Sequence, residues 1–177
     1  AYSSGIYAKF KTEAESKGLE IVTAEAFTSD NKSDLSTQVA KCQEAGADLV
    51  FLPIYYQEAS QILIAANKSG YEPVFFGCDG MDGILSVKNF DQSLAEGLML
   101  LTPFTVDEAG SQDFVAAYEE AYGIEPLQFG AGAYDAVYAI KEAAEKAGVT
   151  PDMEVSDMCE AMKTAMTEIT IDGLTGE

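Results

Sequence analysis

An α/β fold built on a parallel sheet is predicted by the first hundred residues of this chain, on three observations. Short, nearly all-apolar runs recur at residues 48–53 (D-L-V-F-L-P), 73–77 (P-V-F-F-G) and 97–102 (G-L-M-L-L-T). Runs of that length without alternation suit strands buried on both faces. Helical-length segments with apolar residues three and four apart lie around them, and glycines mark where those segments stop. Such alternation implies βαβ units with right-handed crossovers.

Taken in order, residues 3–17 read as a helix. Ser3 or Ser4 can cap it, Ile6, Phe10 and Ala14 share a face, and Gly18 ends it. Residues 19–27 are a strand candidate and 28–34 a polar loop. Leu35, Val39 and Cys42 form the inner face of a second helix, stopped by Gly46. Residues 58–69 form a third helix with Ala59, Ile62, Leu63 and Ala66 inward. Asp82 is placed to cap a short helix at 83–87. After Pro103 the pattern changes to helices at 111–122, 129–147 and 155–166. The stripes Val137–Ile140–Ala144 and Met158–Cys159–Met162–Met166 read as core faces, with one short strand candidate, 168–172, to serve them. The chain is therefore expected to divide into an α/β domain, 1–102, and a set of helices, 103–177.

Composition narrows the function. The chain is 47% hydrophobic and 23% charged, as globular domains are. No apolar run approaches the ~20 residues that cross a bilayer. The opening Y-S-S-G at residues 2–5 shows neither the basic nor the apolar region of a secretory leader. Thirty acids face ten Lys, a formal net charge of −20, with no Arg, His or Trp. A surface so negative repels polyanions, which argues against nucleic acid as a partner. Without His, Ser-His-Asp triads and His metal sites cannot be built. Cys42, Cys78 and Cys159 never approach the C-x-x-C spacing of a zinc site. Cys42 and Cys159 read as buried thiols, and Cys78 lies in a Gly-rich turn. No cofactor or metal is expected.

Ligands of open parallel sheets sit outside the carboxyl ends of the strands. Residues 53–58 (P-I-Y-Y-Q-E) and 77–83 (G-C-D-G-M-D-G) follow strands directly, and residues 2–5 would follow one that preceded them. Tyr2, Tyr55 or Tyr56, and Asp79 thus share one rim. Aromatic faces and a carboxylate suit a small organic cation. The same residues also read as an Asp-Gly turn and as half-buried packing tyrosines. Residues 30–34 lack the glycine and final Glu of a calcium loop.

The ordered segments Y-S-S-G, L-V-F-L-P-I-Y-Y-Q-E-A, F-F-G-C-D-G-M-D, E-G-L, F-G-A-G-A-Y-D-A-V and D-G-L-T-G-E resemble the leucine/isoleucine/valine-binding proteins. These are type I periplasmic solute-binding proteins of ABC transporters, and the resemblance runs over essentially the whole chain. It implies two Rossmann-like lobes with an amino acid held between them. Residues 1–102 would be most of lobe two and 103–177 helices returning to lobe one, a partial chain. It also implies that Tyr2 and Tyr55 line the pocket and that Asp79 binds the ligand's ammonium, while Tyr56 stands where the family varies. The implied function is extracytoplasmic capture of a branched-chain or other aliphatic amino acid for an ABC permease, without catalysis. A sensor domain on the same fold is the alternative. The protein would be periplasmic or lipid-anchored at the outer face of the membrane. Three apolar helix stripes without a sheet also predict that the 177-residue chain either self-associates through the 112–166 helices or is part of a longer chain.

Overall fold

The computed structural model describes residues 2–176, and the chain divides into two compact units, residues 1–102 and 103–177. The first contains three parallel strands in the order β1-β2-β3: β1 (Leu49–Leu52), β2 (Val74–Gly77) and β3 (Met99–Leu100). Val50 lies opposite Phe75 and Phe76 opposite Met99. Helices α1 (Tyr2–Ser16), α2 (Ser36–Glu44) and α3 (Tyr56–Ser69) accompany them. The parallel α/β architecture read from the apolar runs is borne out.

Side-chain alternation along the strands separates two faces. Val50, Leu52, Phe75 and Leu100 join a core with Leu35 and Val39 of the α2 segment and Ala59, Ile62, Leu63 and Ala66 of α3. Fully burying one such Leu or Ile is worth about 1.5–3 kcal/mol, so this face carries most of the unit's cohesion. Helix α3 closes where predicted. Gly70 takes a φ of 66°, and the Tyr71 N–H turns back to the Ala66 carbonyl at 3.0 Å. On the opposite face Phe10 of α1 stacks on Phe51 at 4.2 Å, and Phe51 on Phe76 at 6.1 Å. That face is covered only in part: Leu49, Val74 and Met99 are each 46% exposed. The expectation of strands buried on both faces is corrected here, because the aromatic stack covers Phe51 and Phe76 and leaves the first residues of the strands open.

Other expectations also change. Residues 19–27 form no strand, since no ladder partner pairs with them among the described residues. Side chains hold the segment to α2 instead: Lys41 reaches Glu25 at 2.9 Å and Gln38 donates to the Ala26 carbonyl at 3.2 Å. Ser3 and Ser4 lie inside α1, past the capping position. The cap position of the next turn falls to Gly83 and not to Asp82. Asp82 follows the 3₁₀ turn Asp79–Met81, and Gly83 (φ 93°) opens the turn Ile84–Ser86.

The second unit contains α4 (Gln112–Tyr122), α5 (Gln128–Lys146) and α6 (Val155–Met166). Phe104, Val115 and Ala131 form a small buried cluster, with Phe114 and Leu174 against it. Among its described residues no strand forms, and 168–172 is irregular. The expected core stripes are open: Val137 is 64% and Ile140 52% exposed. Cys159 is exposed and Cys42 intermediate, so neither is the buried thiol expected. The apolar periodicity was real, but a stripe is buried only where something covers it. The D-G-L-T-G segment is held by Asp135 of α5, whose carboxylate accepts from the Leu174 and Thr175 N–H groups at 2.9 Å and the Thr175 hydroxyl at 2.7 Å. Burial alone would raise the Asp135 pKa. These three donors hold it below the usual carboxylate range.

Candidate functional site

Each predicted site residue sits where an element begins. Tyr2 opens α1. Tyr55 precedes α3 in an extended conformation, three residues past the end of β1. Asp79 opens a 3₁₀ turn two residues past the end of β2. Both short connections leave the carboxyl ends of neighbouring parallel strands, so their side chains converge on one rim.

The structure brings all three together. The Tyr2 and Tyr55 rings stack with centroids 5.0 Å apart and planes 23° from parallel. The Tyr2 hydroxyl donates to Asp79 Oδ1 at 2.7 Å and accepts from the Gly80 N–H at 3.1 Å. Tyr55 remains 51% exposed, with an open ring surface at the rim. Burial, followed by the bond to Asp79, pushes the Tyr2 phenol up to about 12. It therefore stays protonated beside the carboxylate at neutral pH. The arrangement offers an aromatic wall and hydrogen-bond acceptors, and suits a compact cationic group.

Gly80 is the site residue that sequence reasoning missed. A Cβ there would lie 2.9 Å from both the Ile54 carbonyl oxygen and the Tyr2 hydroxyl, and 3.2 Å from the Tyr55 ring. Gly77 is similarly confined by Met81 and Leu100. The spacing Gly77-x-x-Gly80 after a strand was the available signal, but it is common to many turns. Glu58 was also missed. It is buried in the first turn of α3 and pairs with Lys32 at 2.6 Å, tying the 28–34 loop to the helix that Tyr55 precedes. A carboxylate there also complements the helix dipole.

The remaining candidates do other work. Tyr56 packs against the core of the first unit. Cys78 is buried, and burial followed by the Asp79 charge raises its thiol pKa, which disfavours the reactive thiolate. Among the described residues no group of three His, Cys, Asp or Glu could hold a metal ion. None of their helices is long and apolar enough to cross a membrane. An open groove of about 770 Å³ in the second unit, lined by Tyr134, Tyr138, Glu142 and residues 170–174, includes none of Tyr2, Tyr55 and Asp79.

Comparison with known proteins agrees with this placement of the fold. The pattern of the family described as periplasmic binding protein matches residues 1–177. Leu/Ile/Val-binding protein homolog 8 of Brucella abortus is 28% identical over 133 residues, covering 71% of this chain and 33% of the relative. Homolog 7 of the same organism is 28% identical over 180 residues, covering 94% and 45%. The branched-chain amino acid transporter substrate-binding protein LivJ of Streptococcus pneumoniae, solved with isoleucine, superposes with a TM-score of 0.81. It is 27% identical and covers 99% of this chain and 48% of its own. The chain thus spans less than half the length of these proteins. A family pattern matched along the whole sequence and a fold shared at this level bear out the resemblance seen in the residues: the chain belongs to the periplasmic binding protein family.

Proposed function

We propose that this chain is the second half of a two-lobed solute-binding protein that captures an amino acid outside the cytoplasm and presents it to an ABC permease. Residues 1–102 are assigned to most of lobe two and residues 103–177 to helices of lobe one. The ligand is a branched-chain or other aliphatic amino acid, released unchanged. Closure of two lobes around it would complete the pocket. The observation that carries this is the convergence of Tyr2, Tyr55 and Asp79 at the carboxyl ends of β1 and β2. A carboxylate beside stacked rings complements an α-ammonium. The names of the relatives, Leu/Ile/Val-binding and branched-chain amino acid transporter proteins, support the ligand class.

Calorimetry of the full-length protein with leucine, isoleucine and valine tests it. Asp79→Asn is expected to weaken binding by about 2–5 kcal/mol, the cost of leaving a buried ammonium without its charge partner. Asp82→Asn, in the turn beyond, is expected to leave affinity nearly unchanged. Equal losses in the two variants would remove Asp79 from the site.

A further inference from the structure

The head of α3 breaks a local rule. A Ser, Thr, Asp or Asn ordinarily closes a helix start by accepting a hydrogen bond from the first turn. Here the cap position holds Tyr55, extended at φ −88° and ψ 159°, and its side chain makes no capping bond. Ile54 and Tyr56 on either side pack into the core of the first unit, whereas Tyr55 is 51% exposed. Its ring rests on Tyr2, and its carbonyl accepts from the Ala59 N–H at 3.0 Å as the first turn closes. That turn contains the buried Glu58, whose Oε1 accepts from the Lys32 ammonium at 2.6 Å. Lys32 comes from a loop exposed at every position from 28 to 34, with Phe27 before it and Leu35 after it packed into the core. The loop's remaining side-chain bonds are local. Asn31 Oδ1 accepts from the Thr28 N–H at 2.8 Å, and Asp34 Oδ1 from the Ser36 N–H at 2.9 Å.

We propose that Lys32 and Glu58 form an ionic latch for the binding rim: the pair seats the 28–34 loop on the head of α3, stands in for the missing cap, and so holds Tyr55 against Tyr2. A carboxylate in the first turn offsets the helix dipole, as a capping side chain would in part. One buried as Glu58 is needs a partner charge, because a buried charge left alone is strongly unfavourable. Lys32 is the one cation of segments 28–34, 53–58 and 77–83, against Asp30, Asp34, Glu58, Asp79 and Asp82, so no neighbour in these loops can replace it. Both are positioning residues and act on the ligand through Tyr55. With the latch broken, the first turn frays and takes Tyr55 with it. A bound ligand then leaves faster while its rate of arrival changes little. The inference rests on the amino-acid reading above, but the latch itself can be tested without ligand.

The test uses the full-length protein with leucine as probe, in calorimetry and stopped-flow mixing. Lys32→Gln and Glu58→Gln are each expected to weaken leucine binding about tenfold, chiefly through faster release. The double variant is expected to lose no more than the weaker single variant, since the two residues act as one unit. Leu63→Ala, a core change farther along the same helix, is expected to lower the melting temperature at least as much and to keep leucine affinity within about twofold. That control separates positioning from a general loss of stability. Without ligand, NMR of ring-labelled tyrosines should show the Tyr55 signal, set by the stack on Tyr2 at 5.0 Å, shifting in both latch variants and unmoved in Leu63→Ala. Wild-type leucine affinity in both latch variants would overturn the latch and leave the amino-acid function intact. Additive losses in the double variant, or a Tyr55 signal unmoved by either substitution, would also overturn it. A wild type that binds none of leucine, isoleucine and valine would overturn the amino-acid function, and the Tyr55 signal then decides the latch by itself.

Discussion

The two units solve the burial of apolar surface differently. Residues 1–102 gather ten buried apolar side chains in one cluster between a sheet and two helices. Residues 103–177 gather three and leave Tyr122, Ile124, Val137, Ile140 and Val155 each more than half exposed. Charge divides unevenly as well. The first unit carries 14 acids against 7 lysines and the second 16 against 3. A helix can satisfy its own backbone and still be unfinished, because its apolar stripe gains free energy only when another surface removes it from water. The candidate binding residues lie in the unit with the larger buried cluster, where packing fixes their geometry. The second unit depends on a cover.

That contrast can be broken most decisively by mass. The 177-residue chain alone is expected to self-associate through its exposed stripes, because patches beyond ~300–600 Å² are unusual on monomers. Light scattering should report a mass above 18.9 kDa. Val137→Lys with Ile140→Lys should return the chain to monomer. A stable wild-type monomer would show that the stripes need no cover.

Point substitutions sharpen the comparison. Leu63→Ala, at a side chain 2% exposed, should cost about 2–5 kcal/mol in denaturant unfolding. Val137→Ala, at a side chain 64% exposed, should cost less than about 0.5 kcal/mol under conditions that keep the chain monomeric. Similar costs at the two positions would end the distinction between covered and open surfaces.

A smaller effect is expected within the second unit, at Asp135. Replacing it with Asn should destabilise residues 172–176 by about 1–3 kcal/mol, since a charged acceptor of three hydrogen bonds is lost. Its folded pKa is depressed, so the carboxylate's contribution is present above the usual carboxylate pKa and is lost as the pH falls through the lower folded value. Hydrogen exchange at Leu174 and Thr175, followed from neutral to acid pH, checks this. Protection indifferent to both pH and substitution would remove the clamp.

Local pattern made much of the first unit legible. The stripe Ala59–Ile62–Leu63–Ala66 and the stop at Gly70 lie within a few residues of one another, and α3 formed as they indicate. The three short apolar runs became three strands for the same reason. Residues 19–27 show the limit, because their strand-like composition pairs with nothing described. A ladder needs a second strand, and no local signal supplies one. Val137 and Cys159 fail differently: periodicity identifies a face and is silent on what covers it. At the site, the residue types at 2, 55 and 79 could be named from their places after strands and from the family resemblance. The part played by Gly80 could not, because its crowding comes from Tyr2 and Ile54, and Tyr2 is distant in sequence. The Asp135 clamp was hidden in the same way, with partners 39 and 40 residues away.

The hydrogen bond between Tyr2 and Asp79 closes a loop of 77 residues. Contacts of such separation carry a large closure entropy and form after local turns and adjacent strands have reduced it. The rim is therefore expected to assemble late in folding, once β1 and β2 have paired and α3 has docked. Weakening a late contact leaves the folding rate nearly unchanged and accelerates unfolding. A molecule held at this rim would act on the lifetime of the folded state and leave the speed of its formation alone.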